Sequence, residues 1–228
     1  MKVELLLGAE RSSWNIPAHH GTEMDRTQKM TAVRDRILKR DDYVCQACLW
    51  KSGRWQEIHH INHNHQDFNE SNLATLCPLC HQFFHLATAA STGGGVLIWL
   101  PELSQKELNN MCVAIFVALK KDKHAMSGAA RSLYGALESR MGFVDENIAT
   151  GASDPGVLAQ AMLGMKREDY ARRADFLGSL RLLPYASRFQ APIDYWASSQ
   201  FKDYPLEQWE KMMETKIDYA RIFREIGV

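Results

Sequence analysis

Cys45-Gln46-Ala47-Cys48 and Cys77-Pro78-Leu79-Cys80-His81 bracket a histidine-rich stretch, Glu57-Ile58-His59-His60-Ile61-Asn62-His63, and this segment decides the fold. Each C-x-x-C turn is tight enough to point two sulfurs at one ion, and zinc accepts a tetrahedron of thiolates. Two such pairs with 28 residues between them therefore read as a four-thiolate structural zinc site, Cys45, Cys48, Cys77 and Cys80. Two redox pairs or four buried thiols is the competing reading. The fifth cysteine, Cys112, lies in an apolar helical pattern and reads as a small core residue.

The histidines between and beside the cysteines have their own order. His59 and His60 are adjacent at the expected end of a strand, so their side chains point apart. His81 and His85 are four apart, which on a helix places both imidazoles on one face. Asn72 precedes the second cysteine pair. His63 and His65 fall in a loop, residues 62–71, that reads as solvated although it could touch a substrate. His19, His20 and His124 have no partner in register and read as surface or packing residues.

These residues resemble the HNH endonuclease motif, the ββα-metal fold. The resemblance implies that His59, His81 and His85 hold one divalent metal, that His60 is the general base for an attacking water, and that Asn72 orients that base. The chemistry is self-consistent, because a metal offsets charge developing on a phosphate and a neutral imidazole takes a proton near pH 7. The metal there would be Mg²⁺, Mn²⁺, Ni²⁺ or Zn²⁺, beside the structural Zn²⁺ of the cysteines.

Outward from this segment, Asp25 can cap a helix running to about Arg40, with Met30, Val33, Ile37 and Leu38 inward. Its outer face carries Arg26, Lys29, Arg34, Arg36, Lys39 and Arg40. Arg34, Lys39 and Arg40 are candidates for phosphate contact, against the alternative of an ordinary solvated face. Val3, Leu5 and Leu7 alternate as an opening strand would. The ribbon is expected over residues 55–61, paired with the knuckle strand before it, and a helix over residues 81–89. Ser91 to Gly95 is a Ser/Gly-rich breaker and the expected domain boundary. It divides an HNH-like zinc-binding domain, residues 1–92, from a strand and mainly helical extension, residues 93–228.

In that extension Val96 to Leu100 reads as a buried strand. Ser104-Gln105-Lys106-Glu107 is a capping box, opening a helix whose stripe runs through Leu108, Met111, Cys112, Ile115, Phe116 and Leu119. Further helices are expected over residues 127–142, from Pro155, over residues 169–182, over residues 193–201 and over residues 206–226.

A second resemblance spans nearly the whole chain. Gly93-Gly94-Gly95-Val96-Leu97-Ile98-Trp99-Leu100-Pro101-Glu102-Leu103-Ser104-Gln105 is similar to the corresponding phrase of the IcmJ/DotN family. So are Leu7-Gly8-Ala9, Ser153-Asp154-Pro155, Leu180-Arg181-Leu182-Leu183-Pro184 and Ile193-Asp194-Tyr195-Trp196-Ala197. That family implies a cytoplasmic zinc protein of type IVB secretion or conjugative transfer systems. It would act as an adaptor on the C-terminal segment of the coupling ATPase. Its secretion members are understood to keep the cysteines and lose the catalytic histidines. Here His59, His60, Asn72, His81 and His85 all stand, so an active endonuclease is the alternative.

Composition limits both readings. Lys and Arg number 27 against 27 Asp and Glu, which excludes a chain-wide basic grip on DNA or a polybasic membrane anchor. The longest apolar run, Met111 to Leu119, is too short to span a membrane, and no signal sequence is evident, so the cytoplasm is expected. The expected fold is α+β, a zinc-stapled HNH-like ββα-metal core with a helical C-terminal extension.

Overall fold

Residues 3–9, 23–121 and 125–203 are described by a computed structural model. His19, His20, His124 and the helix expected over residues 206–226 lie outside the described residues. The first helix among the described residues, α1 (Glu23–Arg40), buries Val33, Ile37 and Leu38 against Ile58 and Leu73. This is the stripe expected from its period.

Strand β1 (Glu57–His60) pairs antiparallel with β2 (Leu73–Leu76), from Glu57↔Leu76 to His60↔Leu73. The expected partner, the knuckle strand before β1, makes only an isolated bridge, Val44↔Lys51. The reason is burial. Every residue of β2 is buried, and a strand covered on both faces needs a ladder partner for its backbone. The connecting loop folds back through a run of side-chain turns. The amides of Asn64, Gln66, Asn69 and Ser71 donate to the side-chain oxygens of Asn62, Asn64, Asp67 and Asn69. Such Asx turns fix a chain by local bonds, so the segment read as a solvated loop has a defined course.

β2 leads into α2 (Pro78–His81), with Pro78 at its first turn, where the missing N–H costs nothing. A 3₁₀ turn, Gln82–Phe84, and α3 (Leu86–Ser91) follow. The single helix expected over residues 81–89 is therefore broken at His85, whose backbone (φ −128°, ψ 57°) is not helical.

β3 (Gly95–Trp99) pairs antiparallel with β4 (Leu180–Pro184), from Gly95↔Pro184 to Trp99↔Leu180. A Cβ at Gly95 would lie 2.2 Å from the Leu183 carbonyl oxygen, so the ladder closes only around glycine there. Between these strands run α4 (Gln105–Lys121), α5 (Ala125–Ser139), α6 (Met141–Asn147), α7 (Pro155–Gly164), α8 (Arg167–Ala171) and α9 (Ala174–Leu177). The capping box opens α4 as expected, with the Ser104 amide donating to Glu107 Oε2 at 2.8 Å. After β4 come α10 (Gln190–Tyr195) and a π-helical turn, Trp196–Gln200. The helix expected over residues 169–182 is thus two short helices and a strand.

The second ladder lies between two apolar clusters. Val96, Ile98 and Leu183 face one that also holds Cys45, Cys77, Cys80 and Trp196. Leu97, Leu180 and Leu182 face another, with Leu86 and Met162. The period-2 alternation of a strand produces this division. The first cluster joins residues on both sides of Gly93.

Residues 3–9 do not form a ladder strand. They run as an extended thread, with the Val3 amide donating to Gln46 O, Gly8 to Phe83 O and Leu86 to Gly8 O. A Cβ at Gly8 would stand 2.9 Å from Phe84 O, so the thread's close approach requires glycine. No helix among the described residues is long and apolar enough to cross a membrane.

Candidate metal centres

Cys45, Cys48, Cys77 and Cys80 are brought together, all buried, with their sulfurs within 4.8 Å of one another. The first turn is closed by Cys45 N→Trp50 O and Leu49 N→Cys45 O, with Leu49 in the left-handed region at φ 64°. In the second, the amide of His81 donates to Cys77 O. Cys48 Sγ and Cys77 Sγ are 3.7 Å apart. A tetrahedron with zinc–sulfur bonds of about 2.3 Å has edges of about 3.8 Å, so the spacing fits a shared ion. The thiols also perturb one another. Hydrogen bonds from Cys48, Cys77 and Cys80 lower the Cys45 pKa, while burial first, and then the other thiols, raises that of Cys77. A dication is the partner that lets all four ionise together.

The cysteine site has a buried polar supporter that the sequence reading did not pick out. Asn109 on α4 donates from Nδ2 to Cys80 Sγ at 3.2 Å. Its Oδ1 accepts from Gln105 Nε2 at 2.9 Å, and Gln105 in turn brackets the backbone of Leu182 on β4. Gln105 and Asn109 are both buried. Donors to a ligating sulfur orient it and stabilise its charge, and their loss commonly weakens metal affinity 10–100-fold. Asn109→Leu is accordingly expected to release zinc to a chelator roughly tenfold faster than wild type while remaining folded. Unchanged release would show that the bond does not support the site.

The second cluster is His59, His81 and His85, with ring nitrogens within 4.8 Å of one another. The broken helix still delivers the pair, because α2 and the 3₁₀ turn together advance His85 by about one turn. His81 Nε2 and His85 Nε2 are 3.2 Å apart. Tetrahedral bonds of about 2.05 Å give edges of about 3.3 Å, and cis octahedral positions at about 2.1 Å give about 3.0 Å. Either geometry suits this donor set, which can hold a metal ion without specifying which. His59 stacks on Phe84 at 4.3 Å. Burial, aided by the surrounding histidines, pushes its pKa down to about 2, so it stands neutral with a lone pair to give.

Glu57 completes this cluster and was missed in the sequence. His81 Nδ1 lies 2.6 Å from Glu57 Oε2. A carboxylate accepts, so His81 carries its proton on Nδ1 and turns the Nε2 lone pair toward the other rings. Burial works to raise the Glu57 pKa, yet the His81 bond and nearby positive charge outweigh it and lower the pKa. The available signal was spacing, since Glu57 and His59 are two apart on one strand and share a face.

His60 turns away from this cluster, as adjacent strand residues must. It stacks on His65 at 4.9 Å and meets Phe68 edge-on at 5.5 Å. Asn72 is buried, and both ends of its amide serve the loop after β1. Oδ1 accepts from the Asn62 amide at 2.9 Å and Nδ2 donates to Asp67 O at 2.9 Å. Asn72 therefore fixes the backbone that follows His60. His63 stands 5.3 Å from His59, ring to ring.

The basic face of α1 is divided. Arg34 Nη2 donates to Gln56 O at 2.7 Å. Arg40 pairs with Asp41 and donates to the carbonyls of Glu70 and Leu73. Lys39 is exposed.

No protein-family model matches this chain. Over 204 residues it is 31% identical to the type 4 apparatus protein DotN of Legionella pneumophila, a match covering 89% of this chain and 93% of that protein.

Proposed function

The chain belongs to the DotN family of type IV apparatus proteins, and on that premise we propose that it is a metal-stapled adaptor of a type IVB secretion or conjugative transfer coupling complex, binding the C-terminal tail of the coupling ATPase. The observation that carries this reading is the reach of the relationship, which extends through the helical part as well as the cysteine and histidine segment. A nuclease module alone needs only the latter. The balanced charge suits a surface that docks protein rather than grips nucleic acid along its length.

The test uses purified components. The full chain should co-elute with the purified C-terminal segment of its own host's coupling ATPase and bind it in calorimetry. His60→Ala should bind equally well. A tail that does not bind at concentrations up to about 100 μM, weaker than the range of specific complexes, ends the adaptor reading.

A second reading, a metal-dependent HNH endonuclease, is favoured by one observation: His59, His81 and His85 converge, with Glu57 setting the tautomer of His81. A divalent ion bound there would supply Lewis-acid stabilisation of the leaving oxygen. His60 would take the proton of the attacking water, and the Asn72 bonds would hold the loop that positions it. Lys39 is the exposed candidate for phosphate contact, while Arg34 and Arg40 would have to share donors already engaged. Purified protein with Mg²⁺, Mn²⁺ or Ni²⁺ should nick supercoiled plasmid. No nicking with any of the three removes this reading and leaves the adaptor intact.

A further inference from the structure

A cavity of about 220 Å³ lies between the N-terminal thread, β1 and the 3₁₀ turn after α2, lined in part by Leu6, His59, His63 and Phe84. Arg173 also lines it, reaching in from the segment between α8 and α9. Arg173 is 8% exposed. Its Nε donates to Leu7 O at 2.6 Å, its Nη1 to Tyr170 O at 2.9 Å, and its guanidinium sits 4.2 Å from the Tyr170 ring centroid.

These contacts hold the guanidinium in place without neutralising it. Among the described residues Arg173 has no carboxylate partner, and its Nη2 donates to none of them. Arg140 shows the alternative, since it is also largely buried but grips Glu102 through both terminal nitrogens. A buried positive charge without a counter-ion is costly to a fold. Its retention at the wall of a cavity that also carries the imidazoles of His59 and His63 among apolar side chains is explained if an anion completes it. Carbonyls fix two of the nitrogens, which leaves the fork's free edge preorganised for an oxyanion.

We propose that this cavity binds a phosphate group, held by Arg173 through charge-assisted hydrogen bonds. The group comes from a nucleic-acid backbone or from free phosphate, and both present the same oxyanion. Glu4, exposed, lines the same cavity and opposes the anion. The proposal goes beyond the adaptor reading and does not require cleavage.

The test measures binding of inorganic phosphate and of a 12-base-pair DNA duplex to the full chain by calorimetry, with ³¹P resonance shifts as a second readout. Phosphate should bind wild type, and Arg173→Gln should weaken it at least tenfold. Glu4→Gln should tighten it several-fold, and this exposed position keeps the test decisive if Arg173→Gln loosens the thread. His81→Ala should leave phosphate binding in place, which separates the arginine site from anion capture by a metal on the histidines. Duplex binding at least tenfold tighter than phosphate, with the same Arg173 and Glu4 dependence, identifies nucleic acid as the source. Equal or weaker duplex binding identifies free phosphate. The proposal is overturned if neither probe binds at millimolar concentration. It is also overturned if Arg173→Gln and Glu4→Gln both bind as wild type, or if binding vanishes in His81→Ala alone.

Discussion

Cys80→Ser is expected to abolish zinc binding and the cooperative folding transition together. Two arguments set the size of the effect. A structural zinc site is worth roughly 10 kcal/mol or more of folding free energy at neutral pH, while a domain's whole net stability is about 5–15 kcal/mol. Losing one thiolate therefore removes a term comparable to the total. The site is also embedded, since Cys45, Cys48, Cys77 and Cys80 share an apolar cluster with Ile98, Leu108 and Trp196. Its collapse would open the core on both sides of Gly93. Cys112→Ser is the control. Cys112 is equally buried but belongs to neither donor cluster, and burial alone raises its thiol pKa. An unpaired hydroxyl there should cost about 1–3 kcal/mol and leave zinc bound. Metal content by mass spectrometry and a thermal melt by circular dichroism read both outcomes. Zinc retained in folded Cys80→Ser protein would refute the structural site.

The second large effect separates two roles within the histidines. His81→Ala should remove one metal equivalent from protein that keeps its cysteine-bound zinc and its fold, because His81 is half-buried and belongs to none of the apolar clusters. It should also remove any plasmid nicking. His60→Ala should keep both metals and lower the nicking rate by at least ~100-fold, the usual scale for a lost general base. His60 faces His65 and Phe68 and not the other three rings, which is why metal content and rate should part in this variant. Equal nicking by wild type and His60→Ala would sink the assignment of the base. Loss of metal in His60→Ala would place it among the ligands instead.

The side-chain clusters were legible from strong local signals. Paired C-x-x-C turns and histidines at one-turn spacing are geometric statements, and the structure assembles both clusters. The capping box and the stripe of α4 were equally legible. The readings that failed depended on distant partners. Leu180-Arg181-Leu182-Leu183 has no period that separates strand from helix, and its ladder partner β3 is some 80 residues away in the chain. The pairing of β1 with β2 was hidden because the intervening loop folds back by side-chain turns rather than by a two-residue hairpin signal. Glu57, Gln105 and Asn109 were overlooked for a different reason. Each is a polar residue whose value lies in a neighbour brought by tertiary structure. For Gln105 and Asn109 a usable clue existed, namely two amides four apart on the face of the helix that carries its apolar stripe.

The thread at residues 3–9 sets an order of events during synthesis. Its carbonyls are gripped by Arg173 and by the Tyr170 hydroxyl, at Leu7 and Ala9. Those partners leave the ribosome more than 150 residues later, which at about 5–20 residues per second is a delay of roughly 8–30 seconds. The cysteine and histidine clusters can assemble within that interval, since all their ligands lie between Cys45 and His85. The thread can dock on Gln46, Phe83 and Leu86 in the same interval, but its bonds to Tyr170 and Arg173, and the arginine wall of the cavity, come later. The chain order thus allows metal capture to precede closure of the Arg173 cavity, which needs residues 170–173.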